Sequence, residues 1–231
     1  MPTPGEKRLD FSRSDIPDLT VKVLRAGEGA RPDVRVLNVA GRLLVIKDYA
    51  AGANLVKRTV GRYLVHRELA AYTRLPWLRG VPPCYGRLDP YTLVTGFVDA
   101  QPAPQADPQR LTPEFFAALL DLVHQIHRCG VAHGDLKRLP NILIDSYDRP
   151  VLVDFTAAVT IGSNPTAALV LPHIFENDLR GVYKLKRRHA PALLTEQEQA
   201  FLEYRGLGER LFRRLRGHVR EPVQRLSGGE P

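Results

Sequence analysis

The sequence predicts an α+β fold in two lobes: a small antiparallel sheet carrying one helix, followed by a reduced, mostly helical lobe. Two observations lead there. Strand-like runs, one helix and further strands precede a long helical remainder, an order that suits two lobes better than a doubly wound sheet. Between them the stretch QPAPQADPQR, rich in proline and polar residues, reads as a linker or lobe junction. The expected division is 1–98 for the first lobe and 99–231 for the second, with the first ~15 residues free to form a flexible tail.

The elements follow from local pattern. LTVKVLRAGEGARPDVRVLNVAGRLLVIKDY reads as three strands separated by glycine-containing turns. NLVKRTVGRYLVHRELAAYTRL has helical period, with Val60, Leu64, Glu68, Tyr72 and Leu75 at spacings of three and four. YGRLDPYTLVTGFVDA is a hairpin that turns at its Asp-Pro. TPEFFAALLDLVHQIHRCG is a helix: Thr112 can cap it, Pro113 fits its first turn, and Gly130 can end it. Phe116, Leu119, Leu120, Val123 and Ile126 line one side. NILI and VLVDF are short strands joined by DSYDRP, and from about Ala167 the chain is helical and basic.

Composition narrows the partners. The 231 residues suffice for two small lobes with a real core. A formal net charge of +8 favours nucleotides, nucleic acid, phosphorylated sugars or an anionic membrane face, without choosing among them. Cys84 and Cys129 have no metal-ligand spacing and suggest no disulfide framework. The stretch MPTPGEKRLDFSRSD lacks an apolar core, so no signal peptide is expected. No run of about 18 apolar residues points to a membrane span. A cytoplasmic location is the resulting expectation.

Three residues break local rules. Lys47 ends the run LLVIK and by strand alternation shares a face with Leu43 and Val45; it can snorkel out at the strand end or meet a partner. Glu68 lies in the apolar stripe of its helix, where a carboxylate needs a cation or an exposed edge. Asp154 closes an apolar strand, as a turn former or as a group facing a metal. The stretch HGDLKRLPNILID adds Asp135, Lys137 and Asn141 just before a strand, as a polar loop or as the floor of a phosphoryl-transfer site.

In this order, a lysine on the third strand, a glutamate on the next helix, HGD…N after a long helix and VDF after the next hairpin resemble the protein kinase-like superfamily. The resemblance implies a two-lobed kinase-like fold, ATP as substrate and Mg2+ as cofactor. Lys47 then looks like the lysine on the α- and β-phosphates, with Glu68 as its partner. Asp135 resembles the catalytic acid that orients the acceptor hydroxyl and takes its proton. Lys137 resembles the lysine that reaches the transferred phosphate. Asp154 and Asn141 look like the oxygen ligands of the cation. LVTGFVDA resembles the hinge: Thr95 stands by the adenine pocket, the backbone of Gly96, Phe97 and Val98 reads the adenine edge, and Val45 and Val23 supply apolar contact. Gly27 and Gly29 stand for the glycine-rich loop. His133 is expected to pack under the loop, and Asp178 either braces it or is an ordinary acid at a helix start.

Several positions depart from the pattern. Gly134 replaces the arginine of HRD, which implies no control through a phosphorylated activation loop. Asn141 comes one residue later than in H-R-D-L-x-x-x-N, Thr156 stands where DFG has glycine, the glycine-rich loop is poor, and no APE segment follows. These features resemble compact bacterial kinases, the lipopolysaccharide kinases and RIO-like serine/threonine kinases. The implied acceptor is a hydroxyl of a protein serine or threonine, or of a lipopolysaccharide-core sugar. The rival is a pseudokinase that binds nucleotide and acts through a partner. The basic tail with Arg213, Arg214, Arg216 and Arg220 is either a solvated helix face or a docking surface for an anionic membrane or phosphorylated glycan, which would place the protein at the inner face of the membrane. Nucleic acid ranks below these, since no aromatic stacking platform accompanies the charge.

Overall fold

A computed structural model describes residues 9–28, 31–50, 55–75, 78–162 and 167–204. The first lobe is a five-stranded antiparallel sheet built from β1 (Thr20–Arg25), β2 (Asp33–Val39), β3 (Arg42–Asp48), β4 (Cys84–Asp89) and β5 (Thr92–Gly96), in the order β1-β2-β3-β5-β4. β2 and β3 join through Ala40 and Gly41, both at positive φ (49° and 83°), the backbone a two-residue hairpin turn demands.

The register sorts the side chains into two faces. Lys47 sits opposite Val34 and Leu93, and Val45 opposite Val36 and Thr95, so these six share the face turned toward the second lobe. Leu37, Leu44, Ile46 and Val94 share the outer face. Val23, expected beside Val45, instead pairs with Arg35 on the outer side; Val34 and Val36 take the place assigned to it. A shift in the β1–β2 pairing, invisible to alternation counting, is the reason.

Residues 9–15, expected to belong to a free tail, are tied to the sheet through Leu9, Phe11 and Arg13. Leu9, Phe11 and the short helix α1 (Ile16–Leu19) cover the outer apolar face, which would otherwise lie in water. Arg13 clamps this segment down, donating from Nη1 and Nη2 to Asp48 at 2.8 and 3.1 Å and from Nε to Asp89 at 2.7 Å.

α2 (Leu55–Tyr72) lies against the inner face. Its buried stripe is Gly61, Val65, Glu68, Ala71 and Tyr72, while Val60, counted on that stripe from the sequence, is exposed. Steps of four residues overrun the 3.6-residue turn, so the row through Val60 drifts off the contact. Gly61 is the point of closest approach: a Cβ there would sit 2.4 Å from Cβ of Tyr49.

The second lobe is built on α3 (Pro113–Arg128). Thr112 accepts from the Phe115 N–H at 3.3 Å, Pro113 occupies the first turn, and Gly130 follows the helix with φ +70°. Phe115, Phe116, Leu119, Leu122, Val123 and Ile126 are its buried side. Within the expected linker lies β6 (Ala100–Pro102), which pairs with β8 (Ile142–Asp145), itself paired with β9 (Pro150–Leu152). β7 (Val131–Ala132) pairs with β10 (Val159–Thr160). α4 (Ala167–His189) packs on α3, and α5 (Glu196–Glu203) packs on α4, where buried Lys186 reaches both oxygens of Glu198 at 2.9 and 2.8 Å. Among the described residues no helix is long and apolar enough to cross a membrane. Gly29 and the tail with Arg213, Arg214, Arg216 and Arg220 lie outside the described residues.

Candidate active site

Three elements bring the sequence-predicted charges to one place. β3 carries Lys47 on the inner face, α2 turns Glu68 toward it, and the chain leaving β9 carries Asp154. The Lys47 Nζ lies 2.8 Å from both oxygens of Glu68 and 2.8 Å from Oδ1 of Asp154. Glu68 is 1% exposed, so this cation resolves the cost of a carboxylate in an apolar stripe. Neither the snorkelling lysine nor the exposed glutamate edge describes the molecule.

The electrostatics follow from this arrangement. Burial works to lower the pKa of the Lys47 ammonium, but the charges of Glu68 and Asp154 outweigh it and hold it above its ordinary 10.5. Burial likewise works to raise Asp154. The Lys47 charge and hydrogen bond, with those from Thr156, overcome it and keep the carboxyl well below its ordinary 3.8.

Asp154 has a left-handed backbone, φ 67° and ψ 67°, uncommon for a residue with a side chain. The residues after it hold it so. Phe155 is fully buried between Tyr72 (ring centroids 5.2 Å apart) and His133 (4.7 Å). Arg67, next to Glu68 on α2, donates to the carbonyls of Ala157 and Ala158. α2, the end of β9 and the loop at His133 are thus joined through one aromatic stack and one arginine.

The loop between β7 and β8 presents Asp135, Lys137 and Asn141. Asp178 of α4 holds its start, accepting the N–H groups of His133 and Gly134 at 2.7 and 2.9 Å, with His127 Nε2 at 3.1 Å. It is 1% exposed and is a brace, not a helix-start acid. His133 packs beneath the loop, its Nε2 3.0 Å from the Val153 carbonyl. Gly134 stands at φ +79°, and a Cβ there would meet the Ala157 carbonyl oxygen at 2.4 Å, so no arginine fits at this place.

Asn141 is buried, and its Nδ2 donates to the Asp135 carbonyl at 3.1 Å. The additional residue ahead of Asn141 is absorbed by a short 3-10 turn, Leu139–Asn141, and the amide stays tied to Asp135. Arg138 lies 3.2 Å from Oδ2 of Asp135, and Lys137 Nζ donates to Asn177 Oδ1 at 2.7 Å.

The hinge and glycine loop are placed as follows. The Gly96 N–H donates to the Pro83 carbonyl at 2.8 Å, and the Phe97 N–H to the Leu43 carbonyl at 3.1 Å. Two of the three N–H groups assigned to the adenine edge are therefore committed within the sheet, leaving Val98. A Cβ on Gly96 would sit 2.7 Å from Cγ of Pro83. Gly27 donates its N–H to Asp33 Oδ1 at 2.7 Å, which closes the turn between β1 and β2.

Sequence reasoning missed Thr156 as a functional side chain, along with Arg67 and Arg138. The Thr156 hydroxyl lies 3.0 Å from Lys47 Nζ and 3.0 Å from Glu68 Oε2, and bonds Asp154 Oδ1. Its signal was a hydroxyl where the kinase pattern has glycine. A hollow of about 360 Å³ beside Arg13, Arg58, Asp89 and Tyr91 lies at the Asp48 end of the sheet and contains none of the site residues.

No family model matches the chain, and no curated protein matches it. Among solved structures it is similar to the Rio2 kinase from Chaetomium thermophilum, with 21% identity and a TM-score of 0.56 over 91% of this chain and 76% of that one. It is also similar to the Rio2 kinase–ADP/Mg2+–phosphoaspartate complex from the same organism, with 20% identity and a TM-score of 0.58, covering 82% of this chain and 63% of that one. The likeness is one of fold: the chain has a two-lobed, protein kinase-like α+β fold.

Proposed function

We propose that the protein is an atypical kinase, an ATP- and Mg2+-dependent phosphotransferase that acts on a hydroxyl. The observation that carries the reading is a pair of oxygens. The hydrogen bonds of Asp154 fall on Oδ1 and that of Asn141 on Nδ2, so among the described residues Asp154 Oδ2 and Asn141 Oδ1 accept none. Hard oxygen donors suit Mg2+, which is held by one or two carboxylates together with substrate phosphates rather than by an all-protein cage. That fits the described residues, which contain no group of three or more acidic, histidine or cysteine side chains able to hold a metal.

In this reading Lys47 binds the α- and β-phosphates and Glu68 keeps its charge in place. Val34, Val36, Val45 and Thr95 offer the adenine a surface, and the Val98 N–H reads its edge. Asp154 and Asn141 would hold the cation, which would supply neutralisation of phosphate charge. Asp135 orients the acceptor hydroxyl and takes its proton; the acceptor oxygen bonds the γ-phosphorus as the bond to the bridging oxygen breaks, and ADP leaves. Lys137 turns from Asn177 to the transferred phosphate. Rio2 kinase, named in the structures of similar fold, supports the class. The acceptor we propose is a protein serine or threonine, or a sugar of a lipopolysaccharide core.

Two substitutions test the site. Asp154→Asn should weaken Mg2+-dependent nucleotide binding and abolish transfer. Asp135→Asn should still bind Mg–ATP and lose roughly 10²–10⁴-fold in turnover, read as autophosphorylation or ATP hydrolysis. Wild-type protein that binds nucleotide without turnover in either assay points to a pseudokinase; wild-type protein that binds none sinks the reading.

A further inference from the structure

Thr156 is the side chain that this site has and the D-F-G pattern lacks. We propose that Thr156 is a positioning residue whose hydroxyl fixes the Asp154 carboxylate, so that Oδ1 is held by the protein and Oδ2 is presented to the cation. The inference rests on the kinase reading of the same site and adds to it a determinant of Mg2+ dependence.

The geometry is specific. A threonine hydroxyl has one proton to give and two lone pairs to receive with. Lys47 Nζ, at 3.0 Å, can only donate to it. Its own proton is offered to Asp154 Oδ1 or to Glu68 Oε2, and Asp154 is the nearer. The Thr156 N–H points to the same Oδ1 at 3.4 Å. Asp154 Oδ1 therefore faces Lys47 Nζ, the Thr156 hydroxyl and the Thr156 N–H, and the carboxylate cannot rotate without giving these up. Lys47 holds Oδ1 from one side only, its ammonium being shared with both Glu68 oxygens at 2.8 Å, and the hydroxyl adds the second hold. The hydroxyl thus couples the Lys47–Glu68 pair to the metal-facing carboxylate, a coupling no glycine could supply.

The experiment is a calorimetric titration of a non-hydrolysable ATP analogue, with Mg2+ and with EDTA, into wild type and the Thr156→Val, Thr156→Ala and Thr156→Ser variants. With EDTA, the valine and alanine variants should bind within about threefold of wild type, since Lys47 and Glu68 remain. With Mg2+ they should bind weaker by roughly tenfold or more, the factor a lost hydrogen bond to a charged group represents. Serine, which keeps the hydroxyl, should restore wild-type Mg2+ dependence. Thermal melts identify folded variants, and alanine carries the test if the branched valine does not fold. Undiminished tightening by Mg2+ in the folded valine or alanine variant overturns the proposal while the kinase reading stands. Wild type that binds no analogue in either condition overturns both.

Discussion

Lys47, Glu68 and Asp154 illustrate how a single buried carboxylate is made tolerable. Removing one member leaves the others uncompensated, so Glu68→Gln should destabilise the folded protein by about 3 kcal/mol, measured by chemical denaturation at neutral pH. The value should fall at the low end of the range for buried pairs because Lys47 retains Asp154 at 2.8 Å. The pH dependence has a definite sign. Asp154 is held below its ordinary 3.8, so its contribution is fully present above that value and is lost as pH falls through the lower, folded value. Lys47 is held above its ordinary 10.5, so its contribution is present below that value and is lost as pH rises through the higher, folded one. The stability difference between wild type and Asp154→Asn should stay level between about pH 5 and 9, shrinking in acid as Asp154 protonates and in strong alkali as Lys47 loses its proton. A step at neutral pH would show that another group governs the cluster.

At the scale of elements, the loop carrying Asp135 is held from outside itself. Asp178, on α4, receives two of its backbone N–H groups, and both start at the His133–Gly134 bend. Asp178→Asn keeps the shape but replaces one acceptor oxygen with a donor, opposite a backbone N–H that can only donate. The cost should be about 1–3 kcal/mol of stability. Turnover should fall while nucleotide affinity stays near wild type, because Lys47 and Glu68 belong to the other lobe. Equal loss of both would mean that α4 supports the whole cleft rather than this loop. α2 plays the complementary part: Arg67, Glu68 and Tyr72 touch the segment from Asp154 to Ala158 through charge, hydroxyl and ring contacts. Any rotation of α2 therefore moves the Asp154 carboxylate with it.

For the whole molecule, the net charge of +8 is the property that reaches beyond the site. We propose that the basic tail docks on an anionic membrane face or a phosphorylated acceptor, at the inner face of the membrane. Replacing Arg213 and Arg214 by glutamate should reduce affinity for vesicles containing phosphatidylserine. The reduction should be larger at low ionic strength, where screening is weaker. Unchanged vesicle binding, together with unchanged turnover on candidate acceptors, would leave those arginines as a solvated face.

Much of this is legible in the sequence. The strand and helix order, the caps Thr112 and Gly130, and the five charged or amide positions Lys47, Glu68, Asp135, Asn141 and Asp154 could be read because each is a local signal: a period, a cap or a motif at a fixed spacing. Their meeting was foreseeable only through the resemblance, since contacts between residues 47 and 154 have no local signature. Tertiary structure alone decided the rest. It moved Val23 to the outer face through a register shift, and it set Leu9, Phe11 and α1 on an apolar face that strand patterns could not show to be uncovered. It also gave Asp178 the role of brace and Thr156 the place between three charges. The physical reason is the same in each case. Periodicity says which face a side chain takes on its own element, whereas a hydrogen bond or a packed face depends on what a distant part of the chain sets against it.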